Sequence, residues 1–291
     1  MAFSPLISVT MPNYNHGKFL AEAFESVQMQ SYPHLEILVV DDGSTDGSRA
    51  TIERFAAKDN RIKPVYFPSN QGAEAAHANC WSRVSGEVVY QYSSDDSVCS
   101  TDFFQLGVTA MNEYPQIAGF FGVNAMVSAE TDGVLGVGAR AATEGYIAPK
   151  EFLKQFLNSR CFVPGISSLW RKTQIDAVGG YDYRLGPMSD HFINHALPAR
   201  CGVVFKRSVV AKSRVFQSRK SYSTDTTGPE FAHRLARFAH KLRAVTQDIG
   251  TELDADWATW RKAQATLLLR NYGAGIAQAM AVTAKPDTSL T

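Results

Sequence analysis

Two adjacent carboxylates, Asp95 and Asp96, follow the apolar run Val88-Val89-Tyr90-Gln91-Tyr92 and the pair Ser93-Ser94. A strand that delivers acids to its end presents hard oxygen ligands. A divalent cation such as Mn2+ or Mg2+ takes such ligands while it bridges to substrate phosphates. Alone, the pair is equally at home in a turn or as a helix cap. Its weight comes from two other runs that end in polar groups: Pro12-Asn13-Tyr14-Asn15 follows residues 6–11, and Asp41-Asp42 follows residues 36–40. The Tyr14 ring could stack on a planar base, or fill the edge of the core. Asp41 and Asp42 could accept hydrogen bonds from a pyrimidine ring N–H or from ribose hydroxyls, or simply build a turn with Gly43, leaving Asp46 as a helix cap.

The elements that must position these groups alternate. Residues 6–11 read as a strand ended by Pro12, and residues 17–30 as a helix with Phe19, Leu20, Ala23, Phe24 and Val27 at helical spacing. Strands at 36–40, 62–67 and 88–92 then alternate with helices at 49–58 and 72–84. The pattern predicts an α/β fold whose mostly parallel sheet is covered by helices on both faces. Ligands of such sheets bind outside the carboxyl ends of the strands, which is where all three polar ends fall. Neither GxGxxG nor GxxxxGK[ST] is present, so a nucleotide is held by carboxylates, an aromatic ring and a metal rather than by a glycine cradle.

Taken together, these segments resemble glycosyltransferase family 2. The resemblance is carried by Ile7-Ser8-Val9-Thr10-Met11-Pro12-Asn13-Tyr14-Asn15, by residues 26–33 and 36–46, by Asn70-Gln71-Gly72 with Asn79, and by residues 88–96. It continues through Ser167-Ser168-Leu169-Trp170-Arg171-Lys172 and Val178-Gly179-Gly180-Tyr181-Asp182, over roughly residues 5–220. The resemblance implies a GT-A fold, a nucleotide-diphosphate sugar donor, a divalent metal (Mn2+ or Mg2+) and inversion at the anomeric carbon. Under it Pro12, Tyr14, Asn15 and Gln71 surround the nucleotide. Tyr14 stacks on the base, and Asp42, supported by Asp41, binds the ring N–H. Asp95 contacts ribose or orders the metal site, Asp96 binds the metal, and Asp190 is the catalytic base. Ser93 and Ser189 stand where the family commonly has acids. His191 is a candidate second contact to donor phosphate or metal. His191 and His195 are spaced i, i+4 without an HExxH motif, which reads as helix surface or acceptor pocket rather than a zinc site.

Uridine is favoured because Tyr14 and Asp42 suit a pyrimidine, with thymidine next. The acceptor expected is a glycan or a lipid-linked glycan of a surface polysaccharide. Two other classes remain open. A nucleotidyltransferase also holds a metal on strand-end acids, but Asn13-Tyr14-Asn15-His16-Gly17-Lys18 is a poor triphosphate loop. A degenerate nucleotide-sugar-binding protein is kept open by Ser93 and Ser189.

The chain has 291 residues and a formal net charge of +1, so no global field argues for nucleic acid. Cys80, Cys99, Cys161 and Cys201 lack CxxC spacing and read as reduced. There is no signal-peptide pattern and no apolar run of the ~18–20 residues that span a bilayer. The expectation is a cytoplasmic enzyme, soluble or peripheral on the inner face of the membrane.

The GT-A catalytic domain is expected over 1–228, with a nucleotide-binding half at about 1–100 and an acceptor half at 101–228. The acceptor half reads as a hairpin turn at 133–138, a helix at 146–157 and an acceptor loop at 161–165. Basic residues crowd 200–243, and residues 213–229 read as a lid whose Arg214, Arg219 or Lys220 closes over the diphosphate; contact with anionic lipid is the other functional reading. Residues 229–291 form a helical extension. One stripe carries Phe231, Leu235, Phe238, Leu242, Val245 and Ile249, and a second segment carries Trp257, Trp260, Leu267, Leu268, Leu269 and Tyr272. These faces suit packing on the catalytic domain, a homodimer contact or a membrane interface. Residues 284–291 read as a disordered tail.

Overall fold

The computed structural model describes residues 3–216 and, further on, His233, Arg234, Arg237, Phe238, His240, Lys241, Ala244 and Val245. The expected alternation is present: β1 (Ile7–Asn13), α1 (Gly17–Gln28), β2 (Leu35–Asp41), α2 (Ser48–Ala56), β3 (Ile62–Tyr66), α3 (Ala73–Ser82) and β4 (Val88–Gln91). There follow β5 (Ser97–Val98), α4 (Phe103–Glu113), β6 (Gly119–Ser128), β7 (Val134–Val137) and β8 (Gly145–Ile147). The described strands and α-helices are completed by α5 (Pro149–Leu157), β9 (Ser168–Arg171), α6 (Lys172–Ala177), α7 (Ser189–Cys201) and β10 (Val203–Val215).

All the described strands join one sheet in the order β3-β2-β1-β4-β9-β6-β10-β5, with β7 added on β6 and β8 on β10. The first four strands are mutually parallel, and β6 is parallel to β10, while β9 runs antiparallel between β4 and β6. The sheet is therefore mixed but mostly parallel. Strand order reverses at β1, which lies between β2 and β4, and the crevice beyond the carboxyl ends of β1 and β4 is the ligand position for such a topology.

Every position of β2 is buried, as expected for a strand covered on both faces. Side chains alternate across a strand, so neighbours on β6 enter different cores. Phe120 packs with Leu20, Phe24, Tyr90, Phe103 and Phe104, and Phe121 packs with Phe152, Trp170, Phe192 and Phe205. The C-terminal residues described are helical, and two of them reach the second core. Phe238 is buried edge-on against Phe192, and Lys241 reaches Asp182 at 3.2 Å. The second apolar segment at 257–272, the homodimer surface and the disordered tail lie outside the described residues. Among the described residues no helix is long and apolar enough to cross a membrane.

Three expectations are corrected. The hairpin turn read at 133–138 comes earlier, because Val134–Val137 is itself the returning strand on β6. The helix read from residue 146 begins at Pro149, with Tyr146 paired into β8 against β10; proline suits the first helical turn, where its missing N–H has no partner to lose. His195 is not on the helix surface but buried against Phe156, with ring centroids 4.5 Å apart.

One acid was hidden inside an apolar run. Glu36, the second residue of β2, is buried at the end of the sheet away from the crevice. It accepts hydrogen bonds from Ser8 Oγ (2.5 Å), Ser85 N (2.9 Å), Ser85 Oγ (2.8 Å) and Lys63 Nζ (2.8 Å). Burial alone favours the neutral acid, but these donors outweigh it and hold the carboxyl down at about 2, against 4.5 for a free glutamate. A carboxyl depressed on folding stabilises the protein above its unfolded pKa and loses that contribution as pH falls toward the folded value. Glu36→Gln should therefore cost about 2–4 kcal/mol in urea melts at pH 7. It should also flatten the loss of stability that the parent shows on acidification from about pH 4.5 toward 2. A variant melting like the parent at pH 7 would refute this account.

Candidate active site

Beyond the carboxyl ends of β1 and β4 the described residues enclose a cavity of about 340 Å³. The sheet side supplies Pro12 from β1, Gln91 from β4, Ser93 and Asp96 from the turn after it, Asn124 from β6 and Ser213 from β10. The lining also includes Phe162, Pro164, Gly165 and Ile166 from the segment before β9, Ser189, Asp190 and His191 at the start of α7, and His77 and Tyr183. Of the residues singled out from sequence, Pro12, Asp96, Asp190 and His191 thus share one cavity. Tyr14, Asn15, Asp41, Asp42, Gln71, Asp95 and Arg214 are not part of its lining.

Asp96 is nearly buried, and its Oδ1 accepts the backbone N–H of Arg214 at 2.7 Å. Burial, and next the negative charge of Asp95, push its carboxyl well above the usual carboxylate range. Asp95 turns its own carboxylate toward the Ser93 hydroxyl and lies 3.7 Å from His16 Nδ1, which is in turn 2.9 Å from Ser94 Oγ. Ser93, where an acid was the common alternative, adds no third negative charge to this turn. No cluster of three or more His, Cys, Asp or Glu side chains able to hold a metal occurs among the described residues. The donor set is one buried carboxylate in need of positive charge at a cavity wall. That fits Mn2+ or Mg2+ arriving together with phosphate oxygens, which complete a coordination shell the protein alone leaves open.

Asp41 and Asp42 build the neighbouring loops. Asp41 accepts from Asn13 Nδ2 (2.7 Å) and Ser44 Oγ (2.6 Å). Asp42 accepts the backbone N–H groups of Gln71 (2.7 Å) and Gly72 (2.9 Å), joining the loop after β2 to the one before α3. Asn15, at φ 54°, accepts the N–H of Thr45 at 2.9 Å and so ties the β1 loop to the same turn. Tyr14, beside these loops in sequence, is exposed at 40%.

Asp190 stands in the first turn of α7, where the helix dipole favours an anion, and its Oδ1 accepts the N–H of His191 at 2.8 Å. A Cβ at Gly165 would lie 3.2 Å from Asp190 Oδ2, so the absence of a side chain there keeps the carboxylate uncrowded. Burial, then neighbouring His191, depress the His195 imidazole to about 3, which leaves it neutral. Burial also lowers His77, a cavity residue the sequence reading missed, with Asp190 and Glu74 opposing. Asn124 and Ser213 were missed too; Ser213, read as the start of a lid, lies on the face of β10 opposite Lys212 and Arg214.

The lid expected from residue 213 does not start there. Ser213, Arg214 and Val215 are the last residues of β10, and the Arg214 guanidinium is buried, donating to the Asp95 carbonyl at 2.6 Å and to Glu22. It does not face the cavity. Residues 217–229 lie outside the described residues.

The family model described as glycosyl transferase family 2 matches residues 8–168. Glycosyltransferase GlyG of Streptococcus pneumoniae is 41% identical over 95 residues, 33% of this chain and 32% of that protein. A Campylobacter jejuni GalNAc(5)-diNAcBac-PP-undecaprenol beta-1,3-glucosyltransferase is 32% identical over 118 residues, 40% of this chain and 38% of that protein. These matches span only a third or so of the relatives' lengths. Among solved structures, S. aureus TarS 1-349 in complex with UDP superposes with a TM-score of 0.65 at 17% identity, covering 97% of this chain and 76% of that one. TarS 1-349 in complex with UDP-GlcNAc gives 0.61 at 14% identity, covering 91% and 81%. At such identities the likeness concerns the fold.

Gly43 gives this platform its test. Its φ of +68° is strained for any residue with a Cβ, and an added Cβ would lie 2.5 Å from the Ser69 carbonyl carbon and 2.7 Å from Asn70 N. Gly43→Ala should cost at least about 2 kcal/mol in denaturant melts, from left-handed strain and the displaced loop. A melt within about 0.5 kcal/mol of the parent would refute it.

Proposed function

We propose that this chain, which belongs to glycosyl transferase family 2, moves a sugar from a nucleoside-diphosphate donor to a hydroxyl of a glycan or lipid-linked acceptor, with inversion. UDP-sugars are the favoured donors and dTDP-sugars the next. The observation that carries the reading is that Asp96 and Asp190 line the same cavity. An inverting displacement needs an acceptor base on one face of the reacting carbon and charge compensation for the leaving group on the other.

In this reading Asp190 takes the proton of the attacking hydroxyl. His191 adjoins it, and the Gly165 gap leaves room for an acceptor. Asp96 holds the divalent cation, Mn2+ or Mg2+, which when bound offsets the charge gained by the departing diphosphate. Asp95, engaged with Ser93 and His16, shapes that turn. At the other end Tyr14 stacks on the base, with Pro12 beneath the donor. Asn15, Asp41, Asp42 and Gln71 keep the surrounding loops in place, and Asp42 retains lone pairs for a pyrimidine N–H. The apolar loop of Phe162, Pro164 and Ile166 suits the acceptor side. The undecaprenol-linked acceptor in the Campylobacter relative's name, and UDP and UDP-GlcNAc in the TarS complexes, support these assignments. The corresponding place of work is the cytoplasmic side of a bacterial-type membrane, in assembly of a surface polysaccharide.

Two measurements test this. At a hundred times its Kd, UDP with Mn2+ should stabilise the chain by about 2.7 kcal/mol, and Asp96→Ala should abolish the metal-dependent part. Stabilisation by dTDP instead would reassign the base, and none by any nucleoside diphosphate would sink the reading. Asp190→Asn should keep donor binding and lose about 10²–10⁴-fold in transfer or donor hydrolysis. Donor binding with no turnover in the parent would identify a binding protein instead.

A further inference from the structure

The buried cation nearest Asp96 is spent on structure. β5 pairs with β10 through Val98↔Ala211 and Ser97↔Lys212, and the ladder runs out one step before Asp96. There the Asp96 carboxylate takes over as acceptor for the next available strand N–H, that of Arg214, at 2.7 Å. The same residue returns the bond from its side chain, since Arg214 Nη1 donates to the Asp95 carbonyl at 2.6 Å. Its guanidinium is only 2% exposed, lies 4.7 Å from the Phe19 ring centre and pairs through Nη2 with Glu22 Oε2 at 2.5 Å. Glu22, on α1, also takes Lys212 Nζ on its other oxygen at 2.6 Å. Lys212 and Arg214 are two apart on β10 and so share a face, which is why one glutamate can hold both.

We propose that Glu22 and Arg214 form a positioning clamp that fixes the Asp96 carboxylate for a divalent cation bound with the donor diphosphate. The inference rests on the glycosyltransferase reading and adds two residues to it. Arg214 acts through Asp96 rather than on the donor, because its buried guanidinium faces the Asp95 carbonyl, Glu22 and, at 3.9 Å, Asp132, and does not line the cavity. Lysine, a point charge on a flexible stem, lacks the rigid planar fork that holds both partners in one geometry. Outer-shell partners that orient a metal ligand typically carry 10–100-fold in metal affinity, which sets the expected size.

The test is calorimetric titration of Mn2+ into the full chain at saturating UDP, with amide hydrogen exchange across residues 95–98. Arg214→Lys and Glu22→Gln should each weaken Mn2+ by about 10-fold or more. Exchange at residues 95–98 should quicken in both. Glu144→Gln, which removes the surface pair with Lys206 at 3.2 Å, should change neither. Glu22 is half exposed, so its variant keeps the test alive if Arg214→Lys fails to fold. Variants that melt earlier yet bind Mn2+ like the parent would overturn the clamp and leave a merely structural pair. A parent that binds no UDP with Mn2+ would overturn the functional reading, and the clamp with it.

Discussion

Where a parallel sheet ends, its last N–H groups and those of the loops beyond must find acceptors, because a buried unpaired donor is costly. In this chain carboxylates supply them. Asp42 takes the N–H groups of Gln71 and Gly72, and Asp46 those of Gly17 and Ser48. Asp96 takes that of Arg214. The acids that look from sequence like a row of ligands are first of all the fasteners of one edge of the sheet. Only the cavity wall distinguishes Asp96, whose burial beside Asp95 leaves it short of positive charge. An end of the sheet fastened this way fixes the loops around it in place.

The opposite end of the sheet shows the same chemistry with its demand met. Glu36 is as buried as Asp42, yet Lys63, Ser8 and Ser85 satisfy it completely enough to hold it ionised. Glu36 accepts four hydrogen bonds, including one from a lysine, where Asp96 accepts the backbone N–H of Arg214.

The alternation of the first hundred residues was legible because each strand there is an apolar run and each helix keeps one apolar stripe, both local patterns. β9 was not, since its antiparallel seat between β4 and β6 depends on segments about eighty and about fifty residues away. The direction of Arg214 was hidden for the same reason: a basic residue near Ser and Thr reads as a loop until β10 is seen pairing with β5. Glu36 escaped because four apolar neighbours outvote one acid in any local pattern. Asp96 and Asp190 were visible through the family resemblance, and their meeting in one cavity is a tertiary fact that no spacing expresses.

The loop at residues 162–166 leads into β9 and is tied to the sheet by the Tyr90 hydroxyl, which donates to the Ile166 carbonyl at 2.8 Å. Apart from buried Val163, residues 162–166 are only partly covered, and an isolated bridge between Arg140 and Phe162 is their strand-like link to the rest. Surface loops of this kind accept substitution at little cost to folding. Residues 162–166 are therefore where the cavity lining can change at little cost to the fold, while the loops around Asp42 and Asp96 are tied by carboxylate hydrogen bonds.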